Sequence, residues 1–355
     1  MEGLSRYMPS KKQHKRLYLF ALVICLWIAV NRNYLVKLEQ NTSHLRWMIS
    51  PYEYLLEQPE PQQHDRVEII GAEDHPLCAP QCLFLFWQGR PTFPVMYEVG
   101  IKTAIRAYGR ENIVIVSNSI TNSTIHPTKD DFPLPVIWNI SLLELAQKLE
   151  HIHEPSIWEN FLKSVASGRM YANMHMADFV RIALVYLYGG LYADMDSLWI
   201  RPAPTKFPIQ GEGNDTGKTL FRVIDSNGVL GGVQKHPYYR KVLEKMPFNY
   251  DPNEFTGIGA MLLNSTLVLY PEYQADFMEV TKEKMYGIEW QSAERRYAQE
   301  PLKNDTNGPE LLENILENCY QLHMYGKLTH LTNGSIPLNG SLYDELIRRL
   351  GITYL

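Results

Sequence analysis

Residues 174–197, MHMADFVRIALVYLYGGLYADMDS, constrain the fold more than any other part of the sequence. Their first part, residues 177–188, is apolar on nearly every side, which is typical of a helix buried inside a domain. Gly189 and Gly190 then break the helix, because glycine adopts a left-handed helix end and allows close backbone approach. Residues 191–196 have the pattern of a short strand. The segment therefore predicts a buried helix that leads into a strand of an α/β domain.

The two aspartates that end this segment, Asp194 and Asp196, indicate a metal site. Residues two apart in a strand point the same way, so the two carboxylates would lie together at the strand end. They would repel each other unless a cation lay between them. Mn²⁺ or Mg²⁺ accepts such ligands and keeps positions open for phosphate oxygens. A D-x-D in a turn is most often structural, but open α/β sheets bind ligands at strand ends, which favours the metal site.

The run ADFVRIALVYLYGGLYADMDS resembles the DxD sugar-binding region of glycosyltransferase family 32, which includes mannosyltransferases and lactosylceramide α-1,4-galactosyltransferases. The resemblance is dense over residues 177–197 and looser from residue 83 to the C-terminus. It implies a GT-A fold, a nucleotide-sugar donor and retention of the anomeric configuration. It does not indicate which sugar is transferred.

An apolar run at residues 17–30 predicts a membrane anchor near the N-terminus. The run is shorter than the ~20 residues that span a bilayer, but it extends to residue 36 if Arg32 reaches the interface. A cleaved signal peptide is the alternative, although small residues for cleavage are lacking. More basic residues precede the run than follow it, so we expect a cytosolic N-terminus and a luminal remainder. We therefore predict a cytosolic tail (1–16), a signal anchor (17–36), a luminal stem (37–66) and a catalytic domain (67–355) in the Golgi membrane.

Sequons for N-glycosylation are more frequent than composition predicts. Average composition would give about two Asn-x-Ser/Thr sites, whereas the chain has eight, at Asn41, Asn122, Asn139, Asn214, Asn264, Asn304, Asn333 and Asn339. This excess favours a luminal glycoprotein. Three cysteines lie beyond the apolar run, and we expect one disulfide among them without being able to choose the pair: Cys78, Cys82 and Cys319.

Alternating patterns predict a doubly wound α/β domain. Short apolar runs predict strands at residues 83–87, 112–117, 134–138, 219–224 and 228–233. Helical patterns cover residues 95–108, 142–149, 157–167, 237–246 and 259–270.

The remaining donor-site candidates come mainly from the resemblance. Trp87 ends the first predicted strand and would stack on the nucleotide base. The resemblance implies that Asp178 and Arg181, which share a helix face, contact the donor sugar or ribose; a buried ion pair is the alternative. Gly190 and Tyr192, inside the same run, complete the predicted donor-binding residues of this segment.

Three later segments also resemble parts of the family's site. Asn227, with Asp225 before it, resembles residues on the acceptor side of the donor sugar, although both residue types are common in turns. Residues 256–259, TGIG, precede an apolar helix whose N–H groups could bind an anion. His323 resembles the family's histidine that is followed two residues later by an aromatic residue, usually Trp and here Tyr325. His323 would be a third metal or phosphate ligand, and Lys327 would neutralise the departing diphosphate.

The sequence thus predicts a metal-dependent hexosyltransferase that uses a UDP-linked galactose, N-acetylgalactosamine or N-acetylglucosamine and a glycan or glycolipid acceptor. A GDP-mannose-dependent enzyme is the first alternative. An inactive luminal glycan-binding protein is the alternative from another class. A hydrolase is disfavoured because its two carboxylates flank the bond at about 5–9 Å, and the net charge of -5 disfavours a nucleic-acid partner.

Overall fold

A mixed sheet of eight strands forms the centre of the fold. The computed structural model describes residues 69–71, 82–88, 93–120, 134–168, 171–204, 218–288, 296–325, 331 and 335–353. All of them belong to one compact unit, Pro59–Leu355. The strands are β1 (Ile69–Ile70), β2 (Leu83–Trp87), β3 (Ile113–Ser117), β4 (Val136–Asn139), β5 (Gly190–Ala193), β6 (Ser197–Trp199), β7 (Leu220–Val223), β8 (Val229–Gly232), β9 (Phe277–Val280) and β10 (Gln321–His323).

Ten α-helices surround the strands in the described residues. They are α1 (Val95–Tyr108), α2 (Leu142–Gln147), α3 (Pro155–Ser167), α4 (Ala172–Tyr188), α5 (Pro237–Lys245), α6 (Ala260–Leu269), α7 (Lys282–Tyr286), α8 (Arg296–Gln299), α9 (Gly308–Asn318) and α10 (Leu342–Arg349). The helix α1 and the strand β2 have the predicted ends, whereas α4 begins five residues before the predicted residue 177.

The strand order brings the carboxyl ends of the parallel strands to one edge of the sheet. The order is β1-β4-β3-β2-β5-β8-β7-β9. Neighbours from β1 to β5 are parallel, whereas β8 is antiparallel to both β5 and β7. The strands β6 and β10 form a separate antiparallel pair in which His323 lies opposite Ser197. Parallel strands end at a common edge, so the aspartates after β5 lie where such sheets bind ligands.

Helices cover both faces of the sheet. Phe84 of β2 packs in the cluster that contains Phe179 of α4. Leu83 and Leu85, on the opposite face of the same strand, pack in a cluster with Ile101 of α1. Since alternate strand residues point to opposite faces, a strand covered on both sides reads as the continuous apolar run LFLFW.

The predicted strand over residues 191–196 is wrong at its C-terminal end. The strand β5 stops at Ala193, and Asp194 to Asp196 form a loop between β5 and β6. The Asp194 N–H still bonds to Gly228 O at 2.9 Å, but Asp196 O instead accepts from Met324 N at 2.7 Å. Because Met324 directly follows β10, a distant segment fixes the path of this loop, and local pattern could not reveal it.

The predicted tail, anchor and stem all lie outside the described residues. Within the part of the chain that the structure describes, no helix combines the length and apolar character needed to cross a bilayer. Cys82 is disulfide-bonded, while Cys319 is a buried free thiol, so the pairing of these two with each other is excluded. Cys78 lies outside the described residues.

Candidate active site

Three potential metal ligands converge at the carboxyl edge of the sheet. One ligand atom from each of Asp194, Asp196 and His323 lies within 4.8 Å of the other two. Asp194 and Asp196 come from the loop after β5, and His323 ends β10. His323 Nε2 lies 3.4 Å from Asp196 Oδ1. The pairing of β10 with β6 therefore brings together groups more than a hundred residues apart in sequence.

Arg181 of α4 contacts the first aspartate. Its Nη2 lies 3.1 Å from Asp194 Oδ1, and the Tyr192 hydroxyl donates to the same oxygen at 3.1 Å. Burial raises the pKa of Asp194, and Asp196 adds to this effect, whereas Arg181 opposes it. Arg181 and Tyr192 both donate to Oδ1 of Asp194. They therefore leave its Oδ2 available for another ligand.

Arg181 also links the first aspartate to Asp178. Arg181 Nη1 lies 3.6 Å from Asp178 Oδ1 and donates to Asn227 O at 2.6 Å. Asn227 Nδ2 in turn donates to Asp178 Oδ1 at 2.7 Å. Burial raises the pKa of Asp178, opposed by Arg181. The predicted residues Asp178, Arg181 and Asn227 thus form one buried polar wall beside Asp194.

Two tyrosines hold the His323 ring. The ring of Tyr325 stacks on it with centroids 4.2 Å apart, and Tyr286 contacts it edge-on at 5.3 Å. Tyr325 has a φ of 45°, which is uncommon for a bulky residue and marks local strain. The predicted aromatic residue two positions after the histidine therefore contacts the ring directly.

Tyr286 and Ser226 are residues of this region that the sequence did not indicate. Tyr286 OH and Ser226 Oγ are 2.7 Å apart. Tyr286 is buried and joins the His323 ring to the loop between β7 and β8. An isolated tyrosine at the end of the short helix α7 carries no motif, so only the three-dimensional arrangement reveals it.

Other predicted residues lie further from this cluster. Trp87 ends β2 at the same edge of the sheet, half-buried, with its ring 4.9 Å from that of Tyr97. Gly190, predicted to bind the donor, instead begins β5 at the opposite edge, about 13 Å of extended chain from Asp194. Its φ of 85° explains the glycine there by conformation alone. Lys327 lies outside the described residues.

Two of the four backbone N–H groups in residues 256–259, the predicted anion site, are already bonded within their own loop. The N–H groups of Gly257 and Gly259 already donate to Glu254 O at 3.2 Å and Thr256 O at 3.1 Å. A Cβ on Gly259 would lie 2.3 Å from Asn227 Nδ2 and 2.6 Å from Asp178 Oδ2. This glycine therefore allows the backbone to lie directly against the polar wall. Asp225 is exposed, with a φ of 53°.

The described sequons differ in their surroundings. Asn304 and Asn339 are exposed. Asn139 is half-buried and donates to Ile120 O at 3.3 Å, and Asn264, inside α6, accepts from Arg222 at 3.1 Å. The other sequons, Asn41, Asn122, Asn214 and Asn333, lie outside the described residues.

The three converging side chains fit a divalent cation. Two carboxylates and an imidazole are a ligand set for Mn²⁺ or Mg²⁺, and the third carboxylate, Asp178, is balanced by Arg181. The histidine fits on one condition. A neutral imidazole that binds a cation through Nε2 carries its proton on Nδ1, where the Tyr325 N–H now donates at 3.0 Å. That contact would have to open for His323 to bind the cation.

Two regions of the chain that contribute residues to this site match known protein families. A family model described as "Glycosyltransferase sugar-binding region containing DXD motif" matches residues 95–213, and a second, "Alpha 1,4-glycosyltransferase conserved region", matches residues 233–352. The chain belongs to the family 32 type of glycosyltransferase. The first match contains Asp178, Arg181 and both aspartates, and the second contains His323, so the two matched regions meet in the cluster of this family 32 chain.

A human relative and two solved structures extend the comparison. The family 32 chain is 26% identical over 221 residues to human alpha-1,4-N-acetylglucosaminyltransferase, a match that covers 61% of this chain and 62% of that protein. The match thus spans less than two thirds of the relative's length. The structure titled "PaToxG Glycosyltransferase" has 16% identity and a TM-score of 0.40, covering 56% of this chain and 77% of that one. A transferase mutant gives a TM-score of 0.34 at 16% identity, with coverages of 57% and 91%.

Proposed function

We propose that this protein is a metal-dependent glycosyltransferase that moves a hexose from a UDP-sugar to a hydroxyl of a glycan or glycolipid. The observation that carries the proposal is the convergence of Asp194, Asp196 and His323 within 4.8 Å beside the buried wall of Asp178 and Arg181. The family match supports transferase activity. The family description and the name of the human relative favour an α-1,4 linkage, with N-acetylglucosamine as the first donor sugar to test.

The proposed arrangement is that of a GT-A enzyme with the donor along the carboxyl edge of the sheet. Asp194, Asp196 and His323 would hold Mn²⁺ or Mg²⁺. Such a cation, when bound, neutralises the charge that grows on a departing diphosphate. Asp178 and Arg181 would border the donor sugar, and Trp87 would stack on the base at the end of β2.

The chain's own groups support transfer without a covalent enzyme intermediate. Asp178 already contacts Asn227 and Arg181, and Asp194 contacts Arg181 and Tyr192. We therefore assign neither carboxylate as a nucleophile. The acceptor hydroxyl would form the new bond to the anomeric carbon on the face from which the diphosphate leaves. The bond between the anomeric carbon and the diphosphate oxygen would break, and the hydroxyl proton would pass to that oxygen. Because the new bond forms on the same face as the old one, the configuration would be retained.

We also propose that the catalytic unit is luminal, in the Golgi, and anchored by residues 17–36 through a stem. The basic flank of the apolar run and the eight sequons support this topology. Digestion of the full-length protein in sealed microsomes tests it. Protection of the C-terminal part, with a glycosidase-sensitive mass, is expected, and complete digestion would contradict the topology.

The central experiment incubates the protein from residue 59 onward with UDP- and GDP-sugars, with and without Mn²⁺. Release of UDP from one UDP-hexose, only in the presence of the cation, is expected. Release of GDP from GDP-mannose would favour the mannosyltransferase alternative. If no donor is turned over while glycans still bind, the protein is a glycan-binding protein that has lost activity.

A further inference from the structure

Two large apolar side chains are half-exposed around the start of α6. Phe255 is 50% exposed and Met261 is 52% exposed. Phe255 lies in the loop before the helix, and Met261 lies in its first turn. A single exposed apolar side chain needs no explanation. Here, however, the two side chains flank Gly259, which touches the site already described.

The position of Gly259 ties these side chains to the polar wall. A Cβ at Gly259 would lie within 2.6 Å of both Asn227 Nδ2 and Asp178 Oδ2, so the backbone there lies directly against these groups. The preceding loop is fixed to α4, because His175 Nε2 lies 3.0 Å from Glu254 O. Phe255 is therefore held next to the wall by a contact with the same helix that supplies Asp178 and Arg181.

The direction of α4 places this surface on the outer side of the donor site. Asp178 lies beside Asp194 at the carboxyl edge of the sheet, and the C-terminal end of α4 leads into the amino end of β5. Tyr171 precedes Asp178 by seven residues, which is about 10 Å further outward at 1.5 Å per residue. The ring of Tyr171 meets that of Phe255 at 5.3 Å, edge to face. The surface therefore lies beyond the polar wall, where a second substrate would approach.

The chemistry of this surface suits a neutral sugar ring. A pyranose presents C–H groups on one face, which pack on an aromatic ring. It presents hydroxyls at its rim, which exchange hydrogen bonds with amide and carboxylate side chains. The exposed residues Asn253 and Glu254 directly precede Phe255. An apolar surface with adjacent polar groups is the usual composition of a small-ligand site.

We infer that Tyr171, Phe255 and Met261 form an acceptor platform that binds a neutral pyranose unit of the acceptor glycan. This inference rests on the proposed transferase function and names the subsite for its second substrate. Phe255 supplies the ring on which the sugar packs, Met261 extends the apolar surface, and Tyr171 fixes the orientation of Phe255.

The test compares substitutions on the platform with a control on the same helix. Phe255→Ala and Met261→Ala remove platform side chains, and Phe255→Trp keeps an aromatic ring. Val268→Ala is the matched control. Val268 is 79% exposed and lies seven residues beyond Met261, about 10 Å along α6. All proteins are loaded with Mn²⁺ and UDP and applied to an array of neutral oligosaccharides, and the KM for the best acceptor and for the donor are then measured.

The platform predicts that Phe255→Ala weakens glycan retention and raises the acceptor KM by about tenfold, which corresponds to the loss of one aromatic contact. The donor KM and donor hydrolysis without acceptor should change less than about twofold in every variant. Phe255→Trp and Val268→Ala should resemble the parent protein. An unchanged acceptor KM in Phe255→Ala, or no glycan retained by the parent, overturns the platform. If the parent protein itself does not hydrolyse any donor, the proposed transferase function is overturned instead.

Discussion

Gly100 on α1 provides the sharpest test of how the aspartate loop is positioned. A Cβ at this position would lie 2.8 Å from Met195 O and 3.0 Å from Ser197 O. These two carbonyls flank Asp196 in the loop after β5. The neighbouring Thr103 holds the strand β6 that follows this loop, because its Oγ1 accepts from Trp199 N at 2.9 Å. Gly100→Ala should therefore push the loop away from α1 and displace Asp196 with it.

Two opposing effects determine the stability change. In an ordinary helix interior, Gly→Ala stabilises by roughly 0.5–1 kcal/mol. Here the added methyl group meets backbone atoms that cannot rotate away, and such overpacking costs about 1–3 kcal/mol. We expect the free energy of unfolding to fall by about 1 kcal/mol. Ligand geometry must be held to within about 0.5 Å, so we expect Mn²⁺ affinity to fall by about tenfold or more.

The assay is a Mn²⁺ titration followed by the electron paramagnetic resonance signal of free Mn²⁺, together with urea unfolding. Ala107→Gly is the control on the same helix, since it changes helix propensity by a similar amount, in the opposite direction, two turns from Gly100. It should lower stability by about 1 kcal/mol and leave Mn²⁺ affinity unchanged. If Gly100→Ala stabilises the protein and binds Mn²⁺ like the parent, the close contact with α1 does not position the site.

Three further predictions concern other parts of the molecule. Arg181→Met should lower the free energy of unfolding by about 3 kcal/mol or more, because the two carboxylates that it contacts lose their buried partner; an unchanged unfolding midpoint would refute this. Burial lowers the pKa of His236 in the folded protein, and Asp276 opposes this effect. The unfolded chain therefore binds a proton at this histidine more readily, and the free energy of unfolding should fall as the pH drops below about 6.5. His236→Asn, which keeps a helix cap, should reduce this dependence of stability on pH, measured by urea unfolding at several pH values. An unaltered pH dependence would show that His236 is not its source. If the unit is luminal, glycopeptide mass spectrometry should find the exposed Asn304 and Asn339 glycosylated and the half-buried Asn264 unmodified. The reverse pattern would show that exposure does not decide which sequons are glycosylated.

Local sequence patterns were sufficient to predict much of the scaffold. The apolar run LFLFW predicted the buried strand β2, and residues 177–188 predicted the buried part of α4. These predictions succeed because periodicity and burial act within a few residues. The D-x-D motif also indicated the position of the site at the end of β5.

The shape of the site depends on contacts that local pattern does not encode. The loop at Asp196 follows Met324 and Gly100 rather than its own strand propensity. Tyr286 reaches His323 from a short helix that carries no motif. Gly190 lies inside the motif but at the far end of β5, where its positive φ already requires a glycine. Contacts between segments far apart in sequence therefore decide which residues line the cluster. Proximity to the D-x-D motif along the sequence does not.

The most direct test of the central claim is cation-dependent UDP release by the parent protein and by Asp194→Asn, both produced from residue 59 onward. Asparagine keeps the size of the side chain and its Oδ1 contacts but removes the charge that a cation needs. The parent should release UDP from a UDP-hexose only with Mn²⁺ or Mg²⁺, and the variant should be about a hundredfold slower or worse while being secreted at the same level. Equal turnover by the two proteins, or turnover by the parent without a divalent cation, would contradict the account.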